Sequence, residues 1–167
     1  VLLFGLWVDD DTASRHGVFF SRRSRPGDLS FVRQKPSVDD LRALEQDYLY
    51  LMDSGIVLMS SKATLGLLQK SGWDPEKQEF SVGAPAYYDL YGEMLTRFGE
   101  ECPDPDPGLD GLTVRLFPLS EGEFFHFGSN SDLIQSTLKL QNRVTDQRLR
   151  FSNKTDQHPS IFQQNAL

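Results

Sequence analysis

Lys35 is the residue whose type and position first suggest chemistry. It follows the β-rich run Phe31-Val32-Arg33 and Gln34, and it precedes Pro36, which cannot extend a central ladder. Ligands of open α/β sheets bind beyond the carboxyl ends of strands. An ammonium there is a compact cation for a phosphate or a carboxylate. The same spacing also describes a solvated surface lysine. Asp9, Asp10 and Asp11 resemble a metal cluster on paper, but consecutive residues in a turn rarely converge, and a solvated acidic turn is the better reading. Asp89 and Glu93 stand four apart in a helical pattern. Such a pair could hold a cation, or form an exposed acidic face on which Asp89 favours the helix dipole. Gly17, just before an apolar run, lets the backbone approach a neighbour closely or simply bends the chain. His16, His126 and His158 share no metal-ligand spacing.

These residues need elements to position them. Val1 to Val8 reads as a buried strand, and a buried strand at residue 1 needs neighbours on both sides. A chain that opens inside an apolar run is expected to be a piece of something larger. A second short strand covers His16 to Phe20, and Ser21 to Asp28 is a polar connection with Pro26-Gly27. Ser37 with Asp40 three residues on is close to a capping box. The helix it opens shows Leu41, Leu44 and Tyr48 at helical spacing. Ile56 to Met59 is a continuous apolar run, as in a parallel-sheet strand buried on both faces. Ser60 or Ser61 caps a helix that Gly72 ends, and Trp73 to Pro85 is loop-like. Tyr87 to Phe98 reads as an amphipathic helix stopped by Gly99. Glu101 to Gly111 is a surface loop. Thr113 to Phe117 and Glu123 to Gly128 read as short strands. A helix runs from Asp132 to about Val144, and Thr145 to Leu167 suits short strands or the start of a solenoid. Alternating strands and helices imply α/β architecture with a mainly parallel sheet.

Composition narrows the class. The chain of 167 residues is long enough for a sizeable core. A net charge of −7 disfavours a general nucleic-acid binder. The one cysteine, Cys102, excludes an intramolecular disulfide and fits a reducing, cytoplasmic setting. No apolar run approaches the length of a membrane span. The sequence has no Walker loop, no GxGxxG and no CxxC pair.

The ordered motifs resemble the nucleotidyltransferase part of the L-fucokinase/GDP-fucose pyrophosphorylase family, within the sugar-nucleotide pyrophosphorylase superfamily. They are Phe4-Gly5-Leu6-Trp7-Val8, His16-Gly17-Val18-Phe19, Gln34-Lys35-Pro36-Ser37, Met52-Asp53-Ser54-Gly55-Ile56 and Tyr88-Asp89-Leu90-Tyr91. The run from Phe124-Phe125-His126-Phe127-Gly128 through Gln141-Asn142 and on to Ile161-Phe162-Gln163-Gln164-Asn165-Ala166 completes the set. The resemblance implies a fold: the C-terminal part of a Rossmann-like nucleotidyltransferase sheet with flanking helices, leading into the start of a β-helix. Residues 1–144 would be the sugar-phosphate half of that domain, and 145–167 the bridge.

It also implies roles. The Gly17 amide and Gln34 would contact the sugar, Lys35 would hold the 1-phosphate, and Asp53 would lie near the sugar hydroxyls. Asp89 joins these as a substrate-binding candidate. Lys35 and His126 are the catalytic candidates. Gln34 stands where the superfamily has glutamate. His126 stands where it has a metal-binding aspartate, so it could bind a metal when neutral or a phosphate when protonated. The implied cofactor is Mg²⁺, with most ligands outside this chain. The implied partners are a sugar 1-phosphate, a nucleoside triphosphate and a covalently linked sugar kinase domain, with no nucleic acid and no membrane. The expected reaction is fucose 1-phosphate plus GTP giving GDP-fucose and pyrophosphate. The alternatives are a non-catalytic sugar-phosphate-binding or scaffold domain, and an enzyme for another deoxy sugar.

Overall fold

A computed structural model of the chain describes residues 1–109, 111–120 and 122–142. The expected bridge at 145–167 and the expected helix end near Val144 lie outside the described residues. Two compact units are present, Val1–Gly122 and a second beginning at Glu123.

The first unit is built on a five-stranded sheet. Its strands are β1 (Leu2–Leu6), β2 (Gly17–Arg22), β3 (Phe31–Gln34), β4 (Tyr48–Leu58) and β7 (Arg115–Leu119), in the order β3-β2-β4-β1-β7. The expected mainly parallel sheet is corrected here. Only β1 and β7 run parallel; the β1–β4, β2–β3 and β2–β4 pairs are antiparallel. The sheet is therefore mixed. Short connections explain this, because β2 reaches β3 through a compact turn and a parallel return would need a crossover. β1 does have a strand on each side, although it ends at Leu6 and leaves Trp7 exposed.

Side chains alternate between two cores. Leu3, Phe19, Val32 and Leu51 face one side and pack with Met94, Leu95 and Phe98. Val18, Phe20 and Tyr48 face the other and pack with Ala13 and Leu41 of helices α1 (Asp10–Ala13) and α2 (Val38–Leu44). In the acidic run at residues 9 to 11, Asp9 caps α1, and Asp10 accepts hydrogen bonds from Tyr50 and Arg42. The capping box at Ser37 and Asp40 is present, with both reciprocal bonds formed. Tyr48, which continues the helical spacing of Leu41 and Leu44, instead begins β4. It pairs with Arg22 and donates its hydroxyl to Glu101 at 2.7 Å.

β4 differs from expectation beyond Asp53. Leu3 pairs with Val57 and Gly5 with Asp53, so β4 carries two extra residues, a bulge. Gly55 sits there at φ +75°. The Ser54 hydroxyl donates to the Phe4 carbonyl at 2.6 Å, replacing the ladder bond lost at the bulge. Past it, Ile56 and Leu58 are exposed and not buried on both faces.

Ser60 caps α3 (Ser61–Lys70), and Gly72 follows at φ +89°. The stretch expected to be a loop contains a small hairpin, β5 (Trp73–Asp74) and β6 (Glu79–Phe80), closed by the Trp73 and Phe80 rings at 5.1 Å. The expected helix from Tyr87 is shorter. A π-helix covers Leu90–Met94 and a 3₁₀ turn covers Leu95–Arg97, while Tyr87 is exposed.

In the second unit, 123–128 forms no strand. The His126 carbonyl accepts the Ser136 hydroxyl of α4 (Asn130–Asn142) at 2.6 Å, a bond that a ladder partner would otherwise supply.

Gly99 fixes the return of the chain against β3. It has φ +116°, and a Cβ would fall on the Ser30 carbonyl. Next to it, the Glu101 amide bonds the Ser30 carbonyl, and the Glu101 carboxylate takes Arg22 Nη2 at 2.5 Å. Gly99→Ala is expected to destabilise the chain by about 3 kcal/mol, through positive-φ strain plus overlap with backbone. Urea unfolding measures it, and an unchanged midpoint would contradict the assignment.

Candidate functional site

The register of β2 gathers the first group of candidate residues. Gly17 opposes Gln34 at the end of β3, and Val18 opposes Met52, which sets Gly17 beside Asp53 of β4. The three share one face of the sheet. A Cβ on Gly17 would stand 3.1 Å from both amide atoms of Gln34 and 3.4 Å from the Asp53 Cβ. The glycine thus opens a gap between a carboxamide and a carboxylate. Donors and acceptors in that combination suit a polyhydroxylated ligand.

Asp53 is 7% exposed. Its carboxylate accepts the Gly55 N–H at 2.8 Å, a bond that exists because the bulge turns that amide back. Burial raises its pKa above the ordinary value, and the Gly55 bond opposes the rise. No ion pair neutralises it among the described residues.

Lys35 lies one residue beyond Gln34, at φ +48°. Positive φ is uncommon for a residue with a side chain, and such strain collects at functional sites. The Lys35 amide donates to the His16 carbonyl at 2.9 Å, and buried Pro36 holds the exit. The side chain is exposed, and its ammonium has no ion pair among the described residues.

The π-helix supplies the fourth wall. The Gln34 amide donates to the Tyr91 carbonyl at 3.3 Å. A glutamate carboxylate in place of Gln34 could not make that bond. Asp89 caps this helix: its carboxylate accepts the Tyr91 N–H at 2.9 Å, and its own N–H donates to Glu93 at 2.9 Å. Asp89 and Glu93 therefore each accept a backbone N–H of this segment. Sequence reasoning missed the Tyr91 carbonyl and the Gly55 amide, because backbone groups leave no residue-type signal.

His126 belongs to the second unit. Its ring stacks on Phe124 at 5.9 Å, and Nδ1 lies 3.3 Å from Asp132. Asp132 also accepts the Ser129 hydroxyl, and this bond first, with His126 adding, lowers its pKa. Among the described residues, no three His, Cys, Asp or Glu side chains converge as a metal site.

No protein-family model matches the chain. Over all 167 residues it is 40% identical to the L-fucokinase/L-fucose-1-P guanylyltransferase of Bacteroides fragilis. The chain is a segment of that family. It spans 17% of the length of this relative. As a member segment of the fucokinase/fucose-1-P guanylyltransferase family, it has no described helix long and apolar enough to cross a membrane.

The buried carboxylate gives a pH prediction. A raised native pKa means the folded state binds a proton more readily than the unfolded chain. The cost of the Asp53 charge is absent below the ordinary value of 3.8 and appears as pH rises through the native pKa. Asp53→Asn keeps the acceptor for Gly55 and removes the charge. It is expected to raise stability at pH 7 by a few tenths to about 1 kcal/mol. The gain should vanish on titration towards pH 4 in denaturant melts.

Proposed function

We propose that this segment forms the sugar-phosphate side of a fucose-1-phosphate guanylyltransferase. In this reading an oxygen of the fucose 1-phosphate attacks the α-phosphorus of GTP. The bond from that phosphorus to the bridging oxygen of pyrophosphate breaks, and the products are GDP-fucose and pyrophosphate. Such transfer needs little covalent help from the protein and depends on positioning and charge neutralisation.

The observation that carries the reading is the row of Gly17, Gln34 and Asp53, with Lys35 following Gln34 in the chain at positive φ. Gln34 and Asp53 would hold sugar hydroxyls. Gly17 would let the ring approach the strand backbone. Lys35 would take the 1-phosphate, and its strained backbone supports that role. His126, oriented by Asp132 on Nδ1, is proposed to contact a phosphate. The name of the Bacteroides fragilis relative supports fucose and a guanylyl donor, and it supports a kinase activity on the same polypeptide as a further proposal.

Lys35→Ala in the intact enzyme is expected to raise the KM for fucose 1-phosphate and lower kcat/KM by about 10². The fold should survive, because the side chain is exposed. Unchanged kinetics would remove Lys35 from the site. The 167-residue chain alone, at 17% of its relative's length, is expected to yield no GDP-fucose in a coupled pyrophosphate assay. Robust turnover would contradict the assignment of this segment to one side of the pocket.

A further inference from the structure

Asp106 lies outside the row described above, yet it is charged and only 4% exposed. Its Oδ1 accepts Lys70 Nζ, at the end of α3, at 2.5 Å and the Gly108 N–H at 2.8 Å. Its Oδ2 stands 3.9 Å from Arg97 Nη1 and has no hydrogen-bond partner. The Tyr88 hydroxyl is buried without one as well. Burial first, then the Asp106 charge, holds that hydroxyl above its ordinary pKa range.

The positions of these groups matter. Tyr88 immediately precedes Asp89, the cap of the π-helix, and Arg97 ends the 3₁₀ turn that follows it. Asp106 therefore stands between Lys70 of α3 and Arg97, near the C-terminal end of the 88–98 segment, where Arg97 also lies 3.7 Å from Asp104. Met94, Leu95 and Phe98 anchor that segment in the core, and its Tyr91 carbonyl holds Gln34. π-Helices are costly and recur where a side chain or carbonyl must be re-aimed. Buried ionic groups are strongly felt when one partner is removed, because the remaining charges lose their compensation.

We propose that Asp106 is a positioning residue for the sugar-phosphate site: it ties Arg97, near the end of the 88–98 segment, to Lys70 of α3 and so fixes where the Tyr91 carbonyl holds the Gln34 side chain. The proposal rests on the sugar 1-phosphate reading. Asp106→Asn keeps the shape but loses the charge that balances Lys70 and, together with Asp104, Arg97. The half-exposed Arg97 offers a gentler variant, Arg97→Gln.

The test uses the intact protein and fucose 1-phosphate. Asp106→Asn and Arg97→Gln should each raise the KM for the sugar phosphate about tenfold, with kcat nearly unchanged. In a Gln34→Ala background neither should add a further loss, since both act through Gln34. Hydrogen exchange at the amides of Tyr91 to Leu95 should quicken in both variants. If Asp106→Asn does not fold, Arg97→Gln supplies the same comparisons. A lowered Tm with unchanged KM, or a full additional loss in the Gln34→Ala background, overturns the proposal. Unchanged exchange over Tyr91 to Leu95 overturns it whether or not sugar phosphate binds. Wild-type protein with no affinity for fucose 1-phosphate in calorimetry sinks the functional reading, while the exchange result still judges Asp106.

Discussion

The register of β2 is the constraint on which the first unit depends. Its side chains serve two cores, with Phe19 on one face and Val18 and Phe20 on the other. A slip by one residue would exchange those faces and force Val18, Phe19 and Phe20 each into the core packed for the other face. The same register sets Gly17 between Gln34 and Asp53. The strand part of the site is thus held by the burial of hydrocarbon several residues away.

The second organising feature is the interruption of β4. Two extra residues turn the Gly55 amide towards Asp53, and the Ser54 hydroxyl repairs the ladder at Phe4. A regular strand would have left the carboxylate without that donor. The cost is a buried charge with one hydrogen bond. Proteins retain such a group where a ligand completes it, and this is consistent with the place given to Asp53 in the proposed function.

Much of the local structure was legible in the sequence. The Ser37–Asp40 box and the Ser60 cap follow from side-chain chemistry acting over three residues. The ends of β3 and α3 follow from Pro36 and Gly72. Strand direction was not legible, because a continuous apolar run such as Ile56 to Met59 looks alike in parallel and antiparallel sheets. Tyr48 satisfied a helical spacing by coincidence, and its pairing with Arg22 and bond to Glu101 decided otherwise. The π-helix was hidden because its sequence is that of an α-helix. The motifs name Gly17, Gln34 and Asp53, which the register brings side by side, but the Tyr91 carbonyl has no signature in residue type.

The conformation at Lys35 has an evolutionary consequence. At φ +48° glycine or asparagine would sit with less strain than lysine. A protein kept for thermal endurance alone would drift at this position towards one of those residues. A library selected for heat resistance alone would therefore give up the ammonium before it gave up the fold.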